Sequence, residues 1–285
     1  MTDAHQWIAE CDYLTLPSGH RIAYRRRGTG PAIVLLHGFP TWSYDYVDVA
    51  ADLERDHDVI TLDFLGYGAS DKPDPYDYSV DENSNAVEQL LAELGLTEVD
   101  LVIHDYGSIV GQELLDRNRR GVLGFKIRTV TLFNGGIVYS AYRPTRLQKL
   151  LITPVIGKLI ARQVSASTMR KGLDGVRGQS KLTDQEFENL WVGVSRSNGH
   201  KIAHLLIRYN HERAQHHARW QGALAAWDGP LHLIWGPEDP VSGRHVLTEA
   251  RKLLVNAAVT EIEGAGHFPM SEAPAECAAA IRRGL

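Results

Sequence analysis

Residues 101–115 read LVIHDYGSIVGQELL: an apolar run, a polar corner at His104-Asp105-Tyr106-Gly107, and then a helical pattern. The pattern predicts a buried strand that turns abruptly into a helix. A carboxylate at the end of such a strand costs desolvation energy unless something pairs with it or uses it. Gly107 fits a sharp elbow, because that turn needs small neighbours and strains its central residue. An elbow lifts its central side chain above the sheet and aims the N-terminus of the following helix at it. The commoner frame is G-x-S-x-G. Here it is Ile103-His104-Asp105-Tyr106-Gly107, with the rear glycine kept and Ile103 in place of a small residue. Centring the frame on Ser108 gives bulky flanks, Tyr106 and Val110. Read alone, Asp105 also fits an N-cap of the helix.

Moving outward, AIVLLHG, DVITLDFLGYG, IRTVTLFNGG and LHLIWGPED repeat the form of an apolar run closed by glycine or a turn, and NAAVTEIEGAGH is a weaker version. Continuous apolar runs suit strands buried on both faces. YLTLPSGHRIAYRRRG alternates around a Ser-Gly turn and predicts an edge hairpin. Helical patterns lie between the runs: YDYVDVAADLER, ENSNAVEQLLAELG, SIVGQELLDRNR and VLTEARKLLV. Alternating strands and helices predict an α/β fold, a mostly parallel sheet covered on both faces. Residues 137–227 break the alternation with helical segments only. They read either as an ordinary helical excursion or as a lid over the C-terminal edge of the sheet, where open α/β sheets bind ligands. The lid is favoured, because the segment leaves one strand end and returns just before the next. The division is then 1–136 with 228–285 as the core and 137–227 as the helical cap.

Three stretches bear on Asp105. GAGHFP places His267 in a glycine-rich loop after the last strand, IWGPEDPV places Asp239 after a strand, and LLHGFPTWSYDY ends a strand at His37-Gly38 and turns back at Pro40. Singly, these are an unremarkable loop histidine, a turn former and a strand end. Together they give the order donor loop, strand-end acid, second acid, histidine, which is the α/β-hydrolase order. With these motifs the chain resembles α/β-hydrolases of the epoxide hydrolase and haloalkane dehalogenase group, whose elbow nucleophile is aspartate. HGFPTWSYDY, LDFLGYGASDKP, HDYG, NGG with RPTRLQKLL, and YNHERAQHHARWQGAL with GPEDPV further resemble the branch of mesoderm-specific transcript protein-like hydrolases.

The resemblance implies a catalytic set of Asp105, His267 and Asp239. Backbone N–H groups of Phe39 and Tyr106 would form an oxyanion hole supported by His37, Gly38 and Pro40. An aspartate nucleophile attacks saturated carbon, and the histidine, oriented by its acid, activates water against the resulting ester. No metal or organic cofactor is implied; His211, His216 and His217 in HERAQHH read as a surface helix face. Ring opening of an epoxide calls for lid hydroxyls. Tyr209 is the leading candidate, though it also reads as a core aromatic beside Leu205 and Leu206, and Tyr142 and Tyr139 are candidate partners. A halide calls for N–H donors; Trp191 is a candidate, or a packed aromatic. Tyr106 and Phe39 stand where the dehalogenases often carry Trp and Asn, and that favours the epoxide. Haloalkane dehalogenation is the alternative. An ester or lactone hydrolase and a non-catalytic binding module remain as further rivals. FLGYGASDKP, with Gly66, Gly68 and Pro73, reads as loop architecture, and His104 as a group hydrogen-bonded within the sheet.

The 285 residues, 44% hydrophobic, suffice for one large domain with an insertion. A net charge of −5 without a long basic tract argues against nucleic acid and anionic membrane as partners. No apolar run nears a membrane span, and MTDAHQWIAECDY lacks a signal-peptide core. Cys11 and Cys277 form no CxxC pair and read as free thiols. The expectation is a cytoplasmic monomer or homodimer acting on a small, mostly apolar organic molecule and water.

Overall fold

A computed structural model describes residues 2–285. Among the described residues, eight strands form one sheet: β1 (Asp12–Thr15), β2 (Arg21–Arg27), β3 (Ala32–Leu36), β4 (Asp58–Leu62), β5 (Glu98–Ile103), β6 (Lys126–Phe133), β7 (Leu231–Trp235) and β8 (Ala258–Glu261). Their order is β1-β2-β4-β3-β5-β6-β7-β8. The hairpin β1–β2 is antiparallel and forms the edge, β2 pairs antiparallel with β4, and the remaining pairs are parallel. Every residue of β3 and β4 is buried, so their unbroken apolar runs meet side chains on both faces. One apolar cluster contains Val34, Leu36 and Leu101, and a second contains Ile33, Leu35 and Val102. Alternate residues of the same strands therefore feed opposite layers.

The chain crosses from β4 on one side of β3 to β5 on the other. The loop after β3 and the corner after β5 thus lie side by side at the switch of strand order, the usual place for a ligand in such sheets. Between β6 and β7 the described residues are helical and irregular only, from Arg146–Leu151 through Tyr209–Ala225. Thr145, Ser165 and Thr183 each start one of these helices with a capping box.

The last of these helices, Tyr209–Ala225, is fastened to Tyr106–Arg119, the helix that follows the corner. The Trp220 indole donates to Glu113 at 2.7 Å, and Arg219 pairs with both Glu113 and Asp116 at 2.8 and 2.6 Å. At its other end the Glu212 carboxylate accepts the Val80 N–H. These ties fix the face bearing Tyr209 and Arg213, four residues apart, against Tyr106.

Candidate active site

Asp105 sits at the strand-to-helix corner with φ 44° and ψ −108°, a conformation that side chains other than glycine rarely adopt. Its side chain makes no capping bond to the helix. The backbone crossing explains Gly107, since a Cβ there would overlap the Leu36 and His37 carbonyls. A Cβ on Gly38 would lie 2.6 Å from the Asp105 Cβ. Room for the bulk of Ile103 comes from another glycine: a Cβ on Gly111 would lie 2.7 Å from the Ile103 Cδ1.

The Asp105 carboxylate is buried, and its two oxygens differ. Oδ1 accepts the Phe39 N–H at 2.9 Å, and Oδ2 lies 3.5 Å from His267 Nε2. The Tyr106 N–H opens the following helix and is one of its donors without an intrahelical partner. The Tyr106 phenol points elsewhere, accepting from the Asn83 amide at 2.8 Å. His37 shapes the donor loop: its Nδ1 is 2.9 Å from the Gly38 carbonyl, and its Nε2 accepts the Phe64 N–H. Burial lowers its pKa, which keeps the ring neutral for both bonds. Pro40 follows Phe39 through a cis peptide.

His267 Nδ1 is 2.7 Å from Asp239 Oδ2. That carboxylate also accepts from Ser242 Oγ, the Val241 N–H and the Asn134 amide. Burial would raise the Asp239 pKa, but the His267 charge and these hydrogen bonds outweigh it and bring it to about 2. Burial likewise opposes ionisation of Asp105, and the adjoining His267 and the Phe39 N–H reverse that and lower its pKa. For His267 burial disfavours the cation, yet the two carboxylates facing it raise its pKa.

Sequence reading did not single out several residues that hold this arrangement. Asn134, after β6, bonds the Gly236 N–H and carbonyl as well as Asp239, and its own carbonyl accepts the Asp105 N–H. Its signal was a polar residue before two glycines at a strand end. Glu272 accepts the N–H groups of Gly178, Gly266 and Phe268, while Val176 accepts the His267 N–H, so the histidine loop is strapped to the inserted helices. His104 corrects the expectation of a bond within the sheet. Its Nε2 lies 2.8 Å from the His267 carbonyl, and burial first, then the His267 charge, lowers its pKa to about 3.

The expected lid residues divide. Tyr209 packs on Tyr106 and Phe39, with ring centroids 4.8 and 6.3 Å away. The Tyr209 and Tyr142 hydroxyls are buried and, among the described residues, have no hydrogen-bond partner. Burial raises the pKa of both and the Asp105 charge adds to it, while the neighbouring Arg213 guanidinium acts in the opposite direction on each, most directly on Tyr142. Arg213, buried on the Tyr209 face, lies with its guanidinium 3.8 Å from the Tyr142 ring centroid. Tyr139 lies away from the other two tyrosines, and Trp191 takes the packed-aromatic reading. Tyr139 is exposed and stacks on His217, and Trp191 stacks on Phe187 in the inserted helices. Aromatic packing decides both positions. Among the described residues no cluster of three or more His, Cys, Asp or Glu side chains is placed to hold a metal ion.

An apolar cavity of about 250 Å³ lies beside this group. Phe39, Val241, His267 and Phe268 wall it from the sheet side, and Leu151, Ile160 and Leu173 from the inserted helices.

This sheet order, with an elbow residue after β5 and a histidine after β8, defines the α/β-hydrolase fold. The sequence profile of the alpha/beta hydrolase family matches residues 33–280, and the chain belongs to that family. It is 38% identical over 262 residues to the LipZ protein of Mycobacterium tuberculosis, covering 91% of this chain and 90% of that one. It is 39% identical to the human mesoderm-specific transcript homolog protein over 284 residues, covering 95% and 84%. Among solved structures, a loop variant of the haloalkane dehalogenase DbeA from Bradyrhizobium elkanii superposes with a TM-score of 0.80 at 21% identity, covering 95% and 94%.

Proposed function

We propose that the chain hydrolyses an epoxide to a vicinal diol through a covalent ester on Asp105. The observation that carries this reading is the pair of buried, unpartnered hydroxyls of Tyr209 and Tyr142, both under the influence of the Asp105 charge. A buried hydroxyl without a protein partner is unfavourable for the fold, and its proton is free to be donated to a ligand.

In the proposed reaction Oδ2 of Asp105 attacks one ring carbon. The ring C–O bond breaks, and the departing alkoxide takes a proton from a tyrosine. Oδ1, already accepting the Phe39 N–H, becomes the carbonyl oxygen of the ester. His267 Nε2 then draws a proton from water as the water adds to that carbonyl carbon, and the N–H groups of Phe39 and Tyr106 hold the oxyanion. Collapse expels the alkoxide, which takes the proton from the His267 imidazolium to give the diol, and the carboxylic acid left on Asp105, with one oxygen from water, returns its proton to the histidine. Asp239 keeps the imidazole oriented, and residues 137–227 act as the cap over the core of 1–136 and 228–285. The site residues require no cofactor for these steps. Cys11 and Cys277 are free thiols, which fits the cytoplasm.

Dehalogenation is less well supported because five of the six indole N–H groups are engaged. Trp7, Trp42, Trp220, Trp227 and Trp235 already donate their N–H groups within the protein, and Trp191 is stacked on Phe187. The test is His267→Gln incubated with styrene oxide and, separately, with 1,2-dibromoethane. The expected result is an adduct of intact styrene oxide on the Asp105 peptide. Halide release without any epoxide adduct would reverse the choice.

A further inference from the structure

The chain carries a net charge of −5, yet residues 143–163, RPTRLQKLLITPVIGKLIARQ, contain five cations and no acid. All five are exposed: Arg143, Arg146, Lys149, Lys158 and Arg162. The same stretch holds half of the ten exposed large apolar side chains among the described residues. Leu147 is 41% exposed, Leu150 47%, Val155 76%, Ile156 48% and Leu159 58%. Apolar side chains scattered singly over a surface are ordinary; five within thirteen residues, interleaved with lysine and arginine, are not. Val155, the most exposed of the five, also has φ 65°, a conformation that β-branched residues rarely adopt.

We propose that the helices Arg146–Leu151 and Ile156–Gln163 dock the protein on an anionic lipid surface and admit an apolar, membrane-dissolved substrate to the cavity beside His267. The charge selects the occupant. A second copy of the same face would bring five cations against five, whereas an anionic bilayer supplies the opposite sign together with an apolar layer for the leucines and valine. The acidic side chains of the adjoining groove are Asp74 and Asp77 on the 74–79 loop and Glu212, whose carboxylate already accepts the Val80 N–H.

Continuity with the cavity is the second support. Leu147, Gln148 and Leu151 of the first helix and Ile160 and Gln163 of the second line it. Leu147 is both a lining residue and an exposed one, so it marks the mouth. An alkyl chain leaving the bilayer at Leu147 passes a mostly apolar lining, with Gln148 and Gln163 among its few polar members, as far as Phe39 and His267. Among the described residues no helix is long and apolar enough to cross a membrane, and the proposed attachment is to the surface. The docking is independent of which bond the site breaks; the substrate class rests on the proposed ester chemistry.

The test is flotation of the full chain with phosphatidylcholine vesicles, with or without 30% phosphatidylglycerol, at low and high salt. The expected result is at least about tenfold greater partition onto the anionic vesicles, reduced by salt. At about fivefold per cation, the triple variant Lys149→Ser, Lys158→Ser, Arg162→Ser should lower that partition on the order of a hundredfold. The pair Val155→Glu and Leu159→Glu should abolish it while turnover of a water-soluble epoxide is kept, because neither side chain lines the cavity. Equal partition onto neutral and anionic vesicles, or variants that partition like the parent, would overturn the proposal. So would a concentration-dependent dimer that the glutamates dissolve while vesicles capture nothing, since the face would then join two copies. Docking without a His267→Gln adduct would remove only the proposed chemistry.

Discussion

The substitution Tyr209→Phe separates a catalytic hydroxyl from a structural one, because the two roles predict opposite signs for stability. The Tyr209 ring is buried against Tyr106 and Phe39, and phenylalanine keeps those contacts. Its hydroxyl is buried without a partner among the described residues. Removing an unsatisfied buried polar group relieves a cost of roughly 1–3 kcal/mol. At the lower end the variant should melt higher by about 2–4 °C. Ring opening should move the other way. A positioned proton donor contributes about 10²–10⁴-fold, and with Tyr142 still present the loss should be about a hundredfold. Tyr209→Phe with Tyr142→Phe should lose more. Thermal unfolding gives the first quantity, and single-turnover formation of the Asp105 adduct in a His267→Gln background gives the second. A lower melting temperature with an unchanged rate of adduct formation would refute the reasoning, since the hydroxyl would then have a structural partner.

Other consequences concern the acid behind the histidine. Asn134→Ala removes a donor to Asp239 and leaves the buried Gly236 N–H unpaired, so denaturant unfolding should show a loss of about 1–3 kcal/mol. In the proposed reaction Asp239 orients the base, so the same variant should accumulate the ester during turnover, visible by intact mass. Stability should also depend on pH in a defined window. The folded pKa of His267 lies above 6.5, so its contribution is complete below 6.5 and is lost as pH rises. That of Asp239 lies below 3.8, at about 2, so its contribution is complete above 3.8 and is lost as pH falls. The melting-temperature difference between the parent and His267→Gln should therefore be widest between about pH 4 and 6.5. A difference that widens from pH 7 to 9 contradicts these assignments.

The architecture was largely legible in the sequence because the quantities that set it are local. Each apolar run marked a strand, and NAAVTEIEGAGH, the weakest, still forms β8 over Ala258–Glu261. What was not legible depends on contacts distant in sequence. Ile103 looked too large for its place in the corner until Gly111, eight residues on, was found facing it. His104 follows a strand, where a bond within the sheet is the natural reading, but its partner is the carbonyl of His267, 163 residues away. Tyr139 and Tyr142 lie three apart, and nothing local distinguishes them. Arg213, 71 residues beyond Tyr142, lies 3.8 Å from that ring centroid and 5.4 Å from that of Tyr139, which turns outward to stack on His217.

An aspartate at the elbow also accounts for the order of the two proposed half-reactions. In the resting site His267 lies between two carboxylates, 2.7 Å from Asp239 and 3.5 Å from Asp105, and both favour its charged form. An imidazolium activates no water. When Asp105 becomes an ester it loses its charge, and one of the two interactions that raise the His267 pKa disappears. The imidazole can then give up its proton, the tyrosinate left by ring opening is at hand to take it, and His267 becomes a base only once there is an ester to hydrolyse. A serine at the corner, neutral before and after acylation, would provide no such switch. Asp105→Asn mimics the neutral ester, so the pKa of the His267 imidazole, followed by NMR, should fall in that variant relative to the parent. An unchanged titration would show that Asp239 alone sets the proton affinity of the ring, and the nucleophile's charge would then have no part in ordering the reaction.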